Sequence, residues 1–508
     1  MTSAPSPLSG RTPQPLLIRD VRLGPGGPAA NVLVADGRIA AVGPELSASE
    51  AGEVVEGAGR TVLPGFWDAH VHIVQWASAR RRVNLAGATS ARAAAELMAD
   101  AAREGRVAPG EPLIGFGFRD GLWADRPEPA LLAWAGEEQA VALVSQDLHT
   151  AWFSRGALRA VGRDGHPTGV LREHDCLDAV ARLGQADAET VDRWVADALR
   201  AAAARGVVGI LDFEFADNCA DWRRRAARGP LDVRVRSAIY PEYLDEAVAA
   251  GLRTGDVLAD TGGLVEVGPL KLFVDGSLNT RTALCNDPYP GTLGAPGALP
   301  EQERFGILQT PPDELVRLMT RAAENGIEPA VHAIGDRANT IALDAFDRLG
   351  CPGRIEHAQL IDHADLHRFA RPGLILGVQP AHATDDRDIA DHHWAGRTDR
   401  AYAYADLARA GATLEIGSDA PVSPLDPWEG IAAAVHRTDD DREPWHPEQA
   451  IPLDDALAAA ARGRRGLRVG DPADLVIVDH DPSGLAPHEL REMPVHATLV
   501  GGRWTHRA

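Results

Sequence analysis

Short apolar runs alternate with Ala-rich stretches along most of the chain, and the two patterns predict different elements. The strand-like runs are Thr61 to His70, Gly206 to Phe213, Val233 to Ile239, Leu270 to Val274, Glu328 to His332, Arg354 to Ala358, Leu374 to Gln379 and Thr413 to Ser418. Between them, segments such as Pro312 to Asn325 and Asn339 to Leu349 predict helices. This alternation is that of a parallel-sheet α/β domain, and eight such strands fit a (β/α)8 TIM barrel. The stretch from about 76 to 195 does not fit a single barrel helix, and it carries a strand of its own, Val141 to Ser145. It predicts an inserted subdomain after the first barrel strand, distorting the barrel.

Both ends of the chain have a different texture. Leu16 to Val21, Asn31 to Ala35 and Arg38 to Val42 are short strand-like runs broken by Gly-rich turns, and Ala473 to Val478 and Val495 to Val500 match them near the other end. Such strands cannot stand alone, so residues 15–64 and 467–508 are expected to pair into one small composite β-sandwich beside a barrel of residues 65–466. Residues 1–14, rich in Pro and Ser, read as a disordered tail.

A chain of 508 residues that is 45% hydrophobic can bury a large core. Its net charge of −22 argues against a nucleic-acid partner, because phosphate binding wants a basic surface. No window approaches the roughly 20 apolar residues of a membrane span, and the opening residues lack the charged and apolar regions of a signal peptide. A soluble cytoplasmic protein with no membrane partner is expected. Cys176, Cys219, Cys285 and Cys351 are scattered without metal-binding or disulfide spacing and read as reduced packing residues.

Polar residues gather at the C-terminal ends of the predicted strands, where barrel enzymes place their active sites. His70 and His72 lie two apart on a strand and face the same way, so both can reach one metal ion. An isolated His-x-His says little. Here His332 ends a later strand, His357 the next, and Asp419 closes the last, so five residues of ligand type share one polarity. Lys271, the only lysine against fifty arginines, sits in the apolar run before His332. A buried Lys beside divalent cations loses its proton readily and can add carbon dioxide, giving an anionic carbamate ligand, whereas Arg stays protonated.

The segments Leu-Pro-Gly-Phe-Trp-Asp-Ala-His-Val-His, Pro-Thr-Gly-Val-Leu-Arg-Glu, Leu-Lys-Leu-Phe-Val-Asp-Gly-Ser-Leu, Val-His-Ala-Ile-Gly-Asp-Arg-Ala, Arg-Ile-Glu-His-Ala-Gln, Val-Gln-Pro-Ala-His and Gly-Ser-Asp-Ala-Pro-Val follow in this order between residues 63 and 422, within a likeness that extends from about residue 15 to about 500. In this series the chain resembles the amidohydrolase superfamily, and within it amidohydrolase family 3, the YtcJ-like group. The resemblance implies a barrel with a composite β-sandwich, a divalent metal site of one or two ions, zinc first among candidates, and hydrolysis of a C–N bond in a small amide, formamide or N-acyl compound. Carried over by residue, His70 and His72 bind the more buried metal, Lys271 is the carbamylated bridge, His332 and His357 bind the second metal, and Asp419 is the general acid/base that also touches metal. A metal-activated hydroxide is then the nucleophile. Glu173 is the rival bridging carboxylate.

A second tier of residues, His149 and Trp152 in Asp-Leu-His-Thr-Ala-Trp, Asp275, Gln379 and His382, is assigned to substrate contact. Asp275 has a second reading, as the residue that positions the Lys271 loop or caps the turn at Gly276. The family implies a homo-oligomer, a dimer. Ester or lactone hydrolysis, deamination, or a non-catalytic metal-binding relative are the alternatives to amide hydrolysis, because one barrel hosts many reactions.

Overall fold

The run Thr61 to His70 is two strands, divided at Gly65 into Thr61–Pro64 and Phe66–Val71. A Cβ on Gly65 would lie 2.2 Å from a Val208 methyl, so the chain can pass this close to the next barrel strand only as glycine. Gly65 marks the passage from one sheet to another. The structure, a computed structural model, describes residues 14–508 apart from 48, 50, 106–110, 121–122, 147, 149, 184–185 and 291–303; the side chains of 173 and 174 also lie outside it, as do residues 1–13 of the expected tail.

Eight parallel strands form the barrel: β1 Phe66–Val71, β2 Val207–Asp212, β3 Arg234–Ile239, β4 Val265–Phe273, β5 Pro329–Ala333, β6 Gly353–His357, β7 Leu374–Val378 and β8 Thr413–Ile416. Each pairs with the next in order. Most of these strands are buried on both faces, which is why they read as near-continuous apolar runs rather than as alternating ones. β1 and β8 meet through Asp419 N–H donating to His70 O at 2.7 Å and His72 N–H to Ala420 O at 2.9 Å. Gly417 permits this approach, since a Cβ there would stand 2.5 Å from His70 N.

The outer helices follow from amphipathic spacing. Pro312–Ala323 starts with Pro at its first turn, carries Asp313 and Glu314 where the helix dipole favours anions, and ends with Arg321 in the last turn. Leu315, Met319 and Ala322 fall on one face and are buried against the barrel. Full burial of a Leu or Met side chain is worth about 1.5–3 kcal/mol, so this face holds the helix more firmly than its capping does.

Residues from both ends join one continuous eight-stranded sheet, in which Thr61–Pro64 pairs antiparallel with Leu475–Val478. The two layers expected of a sandwich are thus hydrogen-bonded into one sheet with a core shared by both ends, Leu16, Val32 and Val62 with Leu475, Ile477 and Leu499. The inserted unit has its own five-stranded sheet, including Leu113–Phe118, Val141–Ser145 and Thr150–Phe153, and its own core. Among the described residues no helix is long and apolar enough to cross a membrane, and none of the four cysteines forms a disulfide.

Candidate active site

The pleat of β1 sends His70 and His72 toward the same side, and their Nε2 atoms lie 3.6 and 3.5 Å from one oxygen, Oδ1 of Asp419. Ring centres of His70 and His357 are 4.8 Å apart, and those of His357 and His332 are 4.4 Å apart. Lys271 on β4 brings Nζ to 3.3 Å from His70 Nε2. All six residues converge at the C-terminal mouth of the barrel.

Hydrogen bonds decide which nitrogen each imidazole offers. Glu356 Oε2 accepts from His70 Nδ1 at 2.8 Å, Gln379 Oε1 accepts from His357 Nδ1 at 2.9 Å, and the Gly276 carbonyl accepts from His332 Nε2 at 3.1 Å. The lone pairs left free are on Nε2 of His70 and His357 and on Nδ1 of His332. Burial, reinforced by the positive charge of Lys271, brings His72 and His332 down to about 3. Burial also holds His70 and His357 well below the usual imidazole value, and takes His382 to about 4. The cluster therefore presents neutral nitrogen donors at pH 7.

Lys271 is 1% exposed, with Nζ over the rings of Phe213 at 4.2 Å and Phe273 at 5.1 Å. Burial lowers its amine to about 8, against the opposing pull of Glu356 and Asp419. Burial raises the Asp419 carboxyl to about 7, with Lys271 opposing. Both groups thus sit closer to neutrality than in water, which suits an amine that must react and a carboxylate that must exchange protons.

The donor set fits a divalent ion. His70, His72 and Asp419 bring one ligand atom each within 4.8 Å of one another, and so do His357, His382 and Asp419. Neutral imidazoles and a carboxylate are the ligands zinc and similar ions take. Asp419 belongs to both groups and can serve either position.

Other expected residues fall elsewhere. Trp152, expected at the substrate, is fully buried in the core of the inserted unit, so its ring packs that unit. Asp275, also assigned to substrate contact, is fully buried and accepts the N–H groups of Leu284, Ile334 and Gly335 at 2.8, 3.0 and 2.8 Å. It ties the loop after β4 to the end of β5, which is its second reading, the positioning of the Lys271 loop. Gln379 is buried and orients His357, while His382 lies 3.4 Å from Gln359 Nε2 through Nδ1. His149, the neighbouring Asp147 and the side chain of Glu173 lie outside the described residues; the backbone of Glu173 begins a helix of the inserted unit, Glu173–Leu183.

Residues not singled out from sequence complete the site. Glu356 is fully buried and held by Arg354 Nε at 2.7 Å, and Arg354 in turn bonds Glu415. Gly377 on β7 leaves the space for that carboxylate, since a Cβ there would lie 2.0 Å from Glu356 Oε2. Asp68 accepts from His70 N and Ser418 N at 3.0 and 2.9 Å and locks the ends of β1 and β8 together. His357 and Asp419 take φ of 78° and 57°, a left-handed conformation that costs a non-Gly residue about 1–3 kcal/mol and concentrates at functional sites.

A parallel barrel whose C-terminal mouth carries neutral histidines, a carboxylate and a buried lysine, in groups that could hold a divalent ion, has the arrangement a metal-dependent hydrolase needs. The chain belongs to the amidohydrolase family, whose profile matches residues 53–506. It is 28% identical over 497 residues to the putative amidohydrolase YtcJ of Bacillus subtilis (strain 168), covering 88% of this chain and 89% of that one. It is 26% identical over 527 residues to an N-substituted formamide deformylase of Arthrobacter pascens, covering 93% and 94%. In fold it is similar to an uncharacterized metal-dependent hydrolase of Pyrococcus horikoshii OT3, with a TM-score of 0.77 and 24% identity, covering 93% of this chain and 99% of that one.

Proposed function

We propose that this protein hydrolyses the C–N bond of a small amide, formamide or N-acyl compound, with His70, His72, His332, His357, Lys271 and Asp419 holding one or two divalent ions, zinc first among them. The observation that carries this reading is the position of Asp419 Oδ1, within 3.6 Å of Nε2 of both His70 and His72. A divalent ion at these residues supplies Lewis acidity to a carbonyl oxygen and lowers the pKa of water. Asp419 then takes a proton from the attacking water and delivers it to the departing nitrogen, because amines leave poorly unless protonated.

Lys271 enters as a carbamate: its amine nitrogen bonds the carbon of carbon dioxide and releases a proton, leaving an anionic two-oxygen group. The short separation of Nζ from His70 Nε2 supports this role. The name of the deformylase relative, which covers nearly its whole length, favours amide over ester chemistry.

The test is turnover on a panel of formamides, acetamides and matched esters by zinc-loaded, chelator-stripped and reloaded protein. Amide hydrolysis lost with the metal and regained with zinc is the expected result. Hydrolysis of the esters alone, deamination products, or bound metal without turnover would replace this reading.

A further inference from the structure

Phe215 is the most exposed aromatic side chain among the described residues, at 61% against 40% for Trp134. It stands beside the candidate metal site. Its ring stacks on the imidazole of His72, with centres 5.3 Å apart and planes 15° from parallel. Its ring also neighbours Tyr240, at 5.2 Å, and Phe273, at 6.0 Å and 17° from parallel. Phe273 continues to His332, at 5.2 Å. His72, Phe215, Tyr240, Phe273 and His332 follow the ends of β1 to β5 in order, so an aromatic ridge runs along one wall of the mouth, and Phe215 is its open face.

The exposure does not come from a slack loop. The carboxylate of Glu214 accepts the N–H groups of Val74 and Gln75 at 2.9 and 3.0 Å and the Gln75 side-chain amide at 3.1 Å, fastening the loop to the helix after β1. The Glu214 side chain also accepts Phe215 N–H at 3.2 Å, and Tyr240 Oη donates to the Phe213 carbonyl at 2.6 Å. A large apolar ring held rigidly in water costs free energy that an occupant would recover, and a flat ring recovers most, through area and offset stacking. Because the ring stacks on His72, an occupant held by it lies beside the candidate reacting groups.

We infer that Phe215 is the platform for a planar apolar group, aryl or heteroaryl, carried close to the scissile C–N bond; the placement of that bond rests on the hydrolase reading above. The ridge selects such substrates over short alkyl amides.

Binding and turnover test this separately. Zinc-loaded protein is titrated with phenylacetohydroxamic acid and acetohydroxamic acid. The expected result is roughly tenfold or greater preference for the phenyl probe, the size expected for burying one ring face. Phe215→Ala is expected to remove most of that preference while the melting temperature holds, and Phe215→Tyr to keep it. Equal affinities in the wild type, no saturable binding of the phenyl probe, or a preference that survives Phe215→Ala would overturn the inference. Turnover of N-methylphenylacetamide against N-benzylacetamide then tells whether the aryl group sits on the acyl or the amine side. Hydrolysis of alkyl amides without any phenyl preference would keep the hydrolase and remove the platform; phenyl-selective binding without turnover would do the reverse.

Discussion

Glu356 and His70, adjacent in space and 286 residues apart in sequence, share a hydrogen bond of 2.8 Å in the barrel interior, where both are almost wholly excluded from water. The bond fixes the tautomer of His70 and aims Nε2 at Asp419 and Lys271. Carboxylates behind ligating histidines typically govern metal affinity by 10- to 100-fold, so Glu356→Gln is expected to weaken zinc binding by about that factor. Chelator competition measures it, and unchanged affinity in a folded variant would show that the carboxylate serves only Arg354.

Lys271→Ala is expected to lose metal and activity together, with partial rescue by short carboxylates added with zinc. Lys271→Arg would not rescue, since a guanidinium does not form the carbamate. The wild type incubated with 13C-bicarbonate and zinc is expected to show a carbamate carbon signal by NMR. Full activity in Lys271→Ala together with metal loss in Glu173→Ala would give the bridge to Glu173.

Asp419→Asn keeps the size of the side chain and removes the carboxylate proposed as the base. Turnover is expected to fall by about 10²- to 10⁴-fold, the range for loss of a general acid/base. Metal analysis separates the two roles of Asp419: lost rate with retained metal assigns it to proton transfer, and lost rate with lost metal assigns it mainly to ligation.

Gly377 tests the packing beneath the site. A methyl there would stand 2.0 Å from Glu356 Oε2 and 2.9 Å from Arg354 Nη2, beside the hydrogen bond that joins those two side chains. Gly377→Ala is expected to destabilise the fold by about 1–3 kcal/mol, the usual cost of overpacking, and to weaken zinc binding as well. Thermal melting and chelator competition on one sample check both effects. A stable variant with reduced metal affinity would mean that Glu356 yields and the barrel does not.

The histidine cluster also makes the stripped protein sensitive to acid. His72 and His332 titrate at about 3 and His382 at about 4 in the fold, against an ordinary value of 6.5. The unfolded chain therefore binds protons that the folded chain refuses. Stability is fully present above 6.5 and falls as the pH drops toward 3, by about 1.4 kcal/mol per pH unit for each such histidine. Urea unfolding of metal-free protein at pH 7.5, 6.5 and 5.5 checks the sign, and a flat profile would mean that the imidazoles gain protons without unfolding.

The barrel was legible because parallel strands buried on both faces leave continuous apolar runs, and because ligand-type residues fall at their ends. His70 and His72 kept the two-residue periodicity of a strand and were found that way. Glu356 was missed for the same reason: alternation puts neighbours on opposite faces, yet the left-handed backbone at His357 turns that imidazole toward the site served by Glu356. Trp152 was misplaced because its segment folds around a core of its own, which a motif does not reveal. Phe215 carries no signal in the sequence, since an aromatic flanking a buried strand gives no sign of which way its ring is open. Thr61 to His70 read as one strand because a glycine in an apolar run shows nothing of the neighbour it must clear.

The seam between β1 and β8 has a consequence for how the protein is made. Ser418 N–H bonds Asp68 across 350 residues, and Asp419 N–H bonds the His70 carbonyl beside it. A growing chain has both histidines of β1 long before it has their carboxylate, and closing so long a loop comes late in folding. Metal offered during synthesis meets the histidines and Lys271 before their carboxylate; the full set of candidate ligands arises when the last barrel strand reaches the first. On the proposed metal reading, capture of an ion would report completion of the barrel, and a chain truncated before residue 418 is expected to fold parts of itself yet never hold zinc tightly.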